Sequence, residues 1–282
     1  MNNDDYIAGC AELAMLLEVS ATPKPGNVDR THDFQDVTYE HFLASAVGIF
    51  PVFKKAASAR CQIGDLILDA VNASAQWQKA GNCHFGAILL LIPMCVAAGK
   101  SSNISQLRRN VIDVVENTTS VDAVQFYKSF HCVDVRVKES HFLDVKDPKS
   151  LQTILDQDLT LYEIMQLSSP NDTLAREWVE GFPRTFHGSQ LMKQYVASGQ
   201  SVNDSIVQLF LKLLGEYPDT LIAKKWGMEV AREISTKAAN VMRNGDVQDF
   251  DRDLVQRKVN PGTTADLVIA SLFVTLLGGF KY

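Results

Sequence analysis

Lys24 stands between Pro23 and Pro25, with Gly26 next, in the stretch Ala21-Thr-Pro-Lys-Pro-Gly-Asn-Val-Asp-Arg-Thr-His-Asp-Phe-Gln-Asp36. Each proline fixes its own φ, and Pro25 also turns Lys24 away from helical backbone. The ammonium therefore projects from a stiff turn. Asp29, His32, Asp33 and Asp36 follow at i, i+3, i+4 and i+7, a spacing that puts four side chains on one face of a helix. A fixed cation beside clustered carboxylates suits a Mg²⁺–phosphate site, with the lysine on phosphate oxygens and the carboxylates on the metal. The same residues also suit a surface loop with solvated charges.

Two further polar islands interrupt an otherwise apolar chain. Gly81-Asn82-Cys83-His84-Phe85-Gly86 leads into a strongly apolar segment. Small residues there let a ligand reach the backbone, and the first turn of a helix offers free N–H groups to an anion. Asn82 fits either a helix N-cap or a ligand contact. His84, one turn into a buried helix, needs a partner and fits a satisfied core histidine or a functional one. Asn260-Pro-Gly-Thr-Thr-Ala-Asp266 opens another apolar segment. Thr263 and Asp266 fit a capping box, and Asp266 equally fits a metal or hydroxyl ligand. Arg184, in the compact turn Gly181-Phe-Pro-Arg-Thr-Phe-His187, fits a phosphate contact or a surface pair with a carboxylate.

Other chemistries are excluded. Asp249, Asp251 and Asp253 alternate as in a calcium loop, but Leu254 occupies the place of the required glycine. No GxxxxGK[ST], strand-linked GxGxxG or GxSxG occurs.

Helical periodicity dominates the elements that must position these islands. It predicts a helix from Asp4 up to the Pro-Lys-Pro loop and a second from Thr38, with Pro51 as a kink or stop. Further helices are expected over 64–80, 83–98, 103–117, 120–130, 151–157, 159–167, 172–180, 185–197, 202–214, 220–244, 250–257 and 264–277. The 83–98 segment is apolar nearly all round, which marks a central buried helix. Val133 to Glu139 alternates apolar and polar residues, the one credible strand. The expectation is an all-α, single large multi-helix domain over 1–282, with at most one short strand or hairpin.

With 46% hydrophobic and 21% charged residues among 282, the chain can bury a sizeable core. A formal charge of −6 argues against general nucleic-acid binding. Five cysteines (Cys10, Cys61, Cys83, Cys95, Cys132) without a CxxC pair fit a reducing cytoplasm better than a disulfide framework or structural zinc. The acidic N-terminus lacks a signal-peptide start, and the longest apolar run, Phe85 to Gly99, is short of a membrane span. A cytoplasmic protein without a membrane partner is expected, and a homodimer is compatible with its apolar helices.

Taken in order, the islands resemble the triphosphoribosyl-dephospho-CoA synthase family, with Thr22 to Gly26, Val28, Asp29, His32 and Asp33 in the opening motif. Asn82, His84 and Gly86 match its middle motif, and Pro261, Gly262, Ala265 and Asp266 its late one. The chain departs from the pattern at Cys83, at Phe85 in place of a lysine, and at Thr263 and Thr264, and looks like a divergent, archaeal-like branch. The resemblance implies an all-α enzyme that displaces adenine from ATP and transfers the triphosphoribosyl group to a ribose hydroxyl of dephospho-CoA. It implies Lys24 on the phosphates, Asp29, Asp33 and Asp266 on Mg²⁺, and His32 or His84 as general base, with Asp29 also in the catalytic set. Gly26, Arg30, Asn82, Gly86, Arg184, Gly262 and Thr264 are the further substrate-binding candidates. On this reading Lys24→Ala and Asp29→Asn abolish turnover with the fold intact. A neighbouring reading, prompted by Phe85, keeps the chemistry but uses a phosphoribosyl donor and another cofactor precursor, such as a ribitol-bearing pterin. A third is a non-catalytic nucleotide-binding protein.

Overall fold

The computed structural model describes residues 3–58, 61–81, 83–132, 143–145, 147 and 149–281. Among the described residues the regular elements are helices and there is no strand; the one isolated bridge pairs Asp29 with His32. The expected strand at Val133 to Glu139 lies outside the described residues.

In chain order the helices are α1 (Asn3–Ser20), α2 (Tyr39–Ala57), α3 (Ile63–Trp77), α4 (Phe85–Gly99), α5 (Ile104–Glu116), α6 (Ser120–Ser129), α7 (Lys149–Asp156), α8 (Leu161–Ser168) and α9 (Thr173–Glu180). They continue with α10 (Pro183–Ala197), α11 (Val202–Glu216), α12 (Thr220–Trp226), α13 (Met228–Asn244), α14 (Val247–Gln256) and α15 (Gly262–Leu277). The chain forms two compact units. One comprises Met1–Glu12 and Ala44–Phe182, the other Leu13–Leu43 and Pro183–Tyr282.

The first unit is built around α4, whose residues Ala87 to Ala98 are all buried, as its unbroken apolarity predicts. Helices α3, α5 and α9 pack on it. The Trp178 indole N–H donates to the Leu89 carbonyl at 3.0 Å, which satisfies the one polar atom of a fully buried ring. Gly99 is required by close approach, since a Cβ there would lie 1.8 Å from the Ala57 carbonyl oxygen. In the second unit the equivalent centre is α15, buried from Thr263 to Thr275 apart from Asp266 and packed by α10, α11 and α12.

The structure corrects three expectations. Helix α2 does not stop at Pro51 but runs through it, because Pro51 and Val47, whose carbonyl loses its donor, both lie on the exposed side where water can substitute. The helix expected over 220–244 is two, divided at Gly227, whose φ of 91° and ψ of 158° suit only glycine. The capping box expected from Thr263 and Asp266 does not form. One orphan donor of α15, the Thr264 N–H, is met instead by Asp219, the N-cap of α12. Its Oδ1 accepts from the Leu221 and Ile222 N–H groups, and its Oδ2 from the Thr264 N–H and hydroxyl at 2.8 and 2.9 Å. One buried carboxylate thus closes two helix N-termini. Among the described residues no single helix is long and apolar enough to cross a membrane.

Truncating this shared cap removes four acceptor bonds. Asp219→Ala should lower unfolding stability in urea by roughly 2–4 kcal/mol, and Asp219→Asn, which keeps one acceptor oxygen, by clearly less.

Candidate functional site

The opening loop belongs to the second unit, and its lysine points inward. Lys24 is fully buried, with its Nζ 2.7 Å from Glu18 Oε1 on α1, 2.9 Å from Asn27 Oδ1 and 2.9 Å from the Val28 carbonyl oxygen. An ammonium has three protons, and all three are engaged. The stiff Pro-Lys-Pro backbone does aim this cation, but at the α1 carboxylate rather than at a ligand. The expectation that Lys24 holds phosphate is therefore corrected: a buried ion must be paired, and Glu18, also buried, is its counter-charge. Burial outweighs the lysine in its effect on the Glu18 carboxyl, which is raised above the usual carboxylate range.

Asp29 is the second buried anchor. Its Oδ1 accepts from the Thr31 N–H at 2.8 Å, the Thr31 hydroxyl at 2.7 Å and the His32 N–H at 3.3 Å, while its Oδ2 accepts from the Lys24 N–H at 3.1 Å. This local side-chain-to-backbone turn competes with helix formation, so the expected helical face of Asp29, His32, Asp33 and Asp36 does not exist. Burial works against the Asp29 charge, but its contacts with His32 and Thr31 prevail and hold the carboxyl far below the usual range.

His32 is the member of the loop whose ring nitrogens, both buried, are not consumed by hydrogen bonds. Its Nδ1 lies 3.4 Å from Asp29 Oδ1 and 4.0 Å from Asp251 Oδ2 on α14, and the side chain is 17% exposed. Among the described residues neither ring nitrogen makes a hydrogen bond. Asp29 raises the His32 pKa most, burial opposes it, and Asp251 adds to the rise. Burial likewise raises the Asp251 carboxyl. Asp251 also anchors the loop, accepting from the Gly26 N–H at 2.9 Å. Gly26, expected to contact substrate, is instead required by the turn: its φ is +71°, and a Cβ would sit 2.3 Å from the Val259 carbonyl oxygen.

The first and third islands meet in this unit. Asn27 Nδ2 donates to Asn260 Oδ1 at 2.9 Å. Asn203, at the start of α11, exchanges two bonds with the Thr22 backbone and accepts from Arg30 Nη2 at 3.2 Å. Arg30 is exposed. Arg184, in the first turn of α10, stacks its guanidinium 5.0 Å above the Tyr217 ring. Gly262 packs against Leu221, and Thr264 is engaged by Asp219.

The proposed metal ligands do not assemble. Both Asp29 oxygens are occupied, Asp33 Oδ1 accepts from the Tyr39 N–H that begins α2, and Asp266 is half-buried on α15. Among the described residues no group of three His, Cys, Asp or Glu side chains is placed to hold a metal ion. The Asp29–Asp33–Asp266 set therefore does not fit Mg²⁺.

The middle island belongs to the first unit, where His84 is the N-cap position of α4 and is buried. Its Nδ1 lies 2.9 Å from Ser45 Oγ on α2. Asn82 lies outside the described residues; Gly86 is in the first turn of α4. Burial pushes the Cys83 thiol up to about 12, so it is not a nucleophile at neutral pH. Phe85, where the family pattern has a lysine, is buried and packs 4.9 Å from Phe130 and 6.2 Å from Phe126 between ring centres. The residue thus fills an aromatic cluster. A cleft of about 380 Å³ in this unit is lined by Cys61, Lys100, Asn110, Asp113, Asn117 and Asp122 among others, and no motif residue borders it.

Composition and pattern missed Glu18, Asn203, Asp219 and Asp251. Only Asp251 carried a signal, its place in an acidic alternation, and that pattern pointed to the wrong chemistry.

The model of the protein family described as ATP:dephospho-CoA triphosphoribosyl transferase matches residues 4–281. A crystal structure from Archaeoglobus fulgidus, described as that of a triphosphoribosyl-dephospho-CoA synthase, superposes with a TM-score of 0.72 at 28% identity. The match covers 85% of this chain and 100% of that one.

Two outcomes test the loop. Lys24→Met strands the buried Glu18 and should cost about 3–5 kcal/mol in urea unfolding, and adding Glu18→Met should recover much of it. Because the folded chain binds the His32 proton more tightly than the unfolded one, that contribution is complete below about pH 6.5 and is lost as pH rises through the raised native value. Stability measured from pH 6 to 9 should therefore decline more steeply in the wild type than in His32→Gln.

Proposed function

Since the chain belongs to the ATP:dephospho-CoA triphosphoribosyl transferase family, we propose that it moves the 5-triphosphoribosyl group of ATP onto a ribose hydroxyl of 3′-dephospho-CoA and releases adenine. The observation that carries this reading is the family match over nearly the whole chain, supported by the likeness to the Archaeoglobus structure.

In such a transfer the C1′–N9 bond of ATP breaks, its electron pair leaves with adenine, and the acceptor oxygen bonds to C1′. The ribose passes through an oxocarbenium-like state, so protonating the leaving group lowers the barrier more than activating the nucleophile does. His32 suits the acid role. Its pKa is raised by the two carboxylates, which favours the imidazolium at neutral pH. We assign its Nε2 proton to the departing adenine, in place of the base role that the sequence pattern suggested. Asp251 Oδ2, with its raised carboxyl, takes the proton of the incoming hydroxyl and releases it to water after the transfer, and water reprotonates Nε2 for the next turnover. Arg30, exposed and two residues before His32, replaces the buried Lys24 as the cation for the triphosphate. No step is assigned to a metal held by the chain.

The reaction is tested by incubating the protein with the magnesium salt of ATP and dephospho-CoA, followed by mass spectrometry. Free adenine and a CoA product heavier by the triphosphoribosyl group should appear together; absence of both with folded protein overturns the reading. His32→Ala should lower kcat roughly 10²–10⁴-fold while the protein still folds. In the wild type kcat should fall as pH rises through the His32 value; a rise with pH in that window would exclude the acid role.

A further inference from the structure

His84 ends a chain of buried side chains whose hydrogen-bond direction can be worked out atom by atom. Gln78, in the turn after α3, is pinned at both ends of its amide: Oε1 accepts from the Ala80 N–H at 2.6 Å, and Nε2 donates to the Gly81 carbonyl at 3.0 Å. This leaves no doubt which end is nitrogen. The same Nε2 reaches Ser74 Oγ at 3.4 Å, so Ser74 accepts from it. Ser74 Oγ lies 2.7 Å from Ser45 Oγ, which lies 2.9 Å from His84 Nδ1.

A hydroxyl has one proton to place. Helical serines commonly donate it to the carbonyl four residues back, as Ser235 and Ser271 do. Among the described residues Ser45 and Ser74 make no such bond. The Ser74 proton has one acceptor within reach, Ser45 Oγ, because the neighbouring Gln78 nitrogen is a donor. Ser45, having accepted there, has one acceptor for its own proton, His84 Nδ1. The opposite direction would leave the buried Ser74 proton without an acceptor, at the full desolvation cost of an unmade bond.

We propose that Gln78, Ser74 and Ser45 are positioning residues that hold neutral His84 as its Nε2–H tautomer. His84 then offers substrate a hydrogen-bond donor and cannot serve as a general base through Nε2. The role toward substrate rests on the transferase reading above, whereas the tautomer does not.

Nuclear magnetic resonance on protein with ring-¹⁵N-labelled histidine reads the tautomer directly. The chain has six histidines, and His84→Gln identifies the His84 signals by their loss. The expected result is an unprotonated, pyridine-type Nδ1 and a protonated Nε2, with Ser45→Ala shifting the ring toward a mixture of tautomers. A protonated Nδ1 in the neutral wild-type ring overturns the proposal, as does an unchanged tautomer in Ser45→Ala. For the role toward substrate, the amide that His84→Gln introduces can reproduce an Nε2 donor but not a base. His84→Gln should therefore keep at least tenfold more turnover than His84→Ala. Equal loss in both variants, with the expected tautomer observed, would refute the donor role alone; no turnover in the wild type would refute the reaction and leave the tautomer standing.

Discussion

The buried ion pair between Lys24 and Glu18 constrains everything around the opening loop. Moving an ammonium and a carboxylate out of water costs several kcal/mol each after relaxation. That cost is met only by close pairing and by donors and acceptors that leave no proton or lone pair idle. Asn27 and the Val28 carbonyl complete the lysine's set, so the backbone from Lys24 to Val28 has to curl around its own side chain. Pro23 and Pro25 limit the conformations that the unfolded loop can visit, which reduces the entropy lost in forming this arrangement.

Carboxylates elsewhere in the second unit do comparable work. Asp29 closes the turn after the loop, Asp219 caps two helices at once, and Asp251 receives the Gly26 N–H. Most of the acidic side chains that a pattern-based view would give to a metal are occupied by backbone donors. A helix N-terminus and a tight turn present unsatisfied N–H groups, and a buried carboxylate is the strongest acceptor that a chain can supply to them. What remains for reaction is the small remainder: His32 between Asp29 and Asp251, with the exposed Arg30 close in sequence.

The histidines illustrate how surroundings assign roles to one side-chain type. His32 has carboxylates near one nitrogen, and its proton affinity rises. His84 meets a hydroxyl that belongs to a directed chain beginning at a pinned amide. The first environment favours carrying a proton to a leaving group. The second favours a fixed neutral tautomer. Neither difference is visible in the residue itself.

The sequence alone determined the helical character, since helical apolar patterning is local to a segment whatever its partners; α4 is buried where its all-round apolarity said it would be. It also determined the family, because three motifs in order over the whole length are a property of the chain and not of its packing. Local pattern failed where the deciding partner is remote. Nothing near Thr263 announces that Asp219 will cap α15, and nothing near Gly26 announces Asp251. Gly227 divides a helix that side-chain periodicity carries straight through. Only the tertiary structure decided which charged residues face inward: a titratable group's role depends on the groups that surround it, and folding brings those from segments up to more than two hundred positions apart, as Gly26 and Asp251 do.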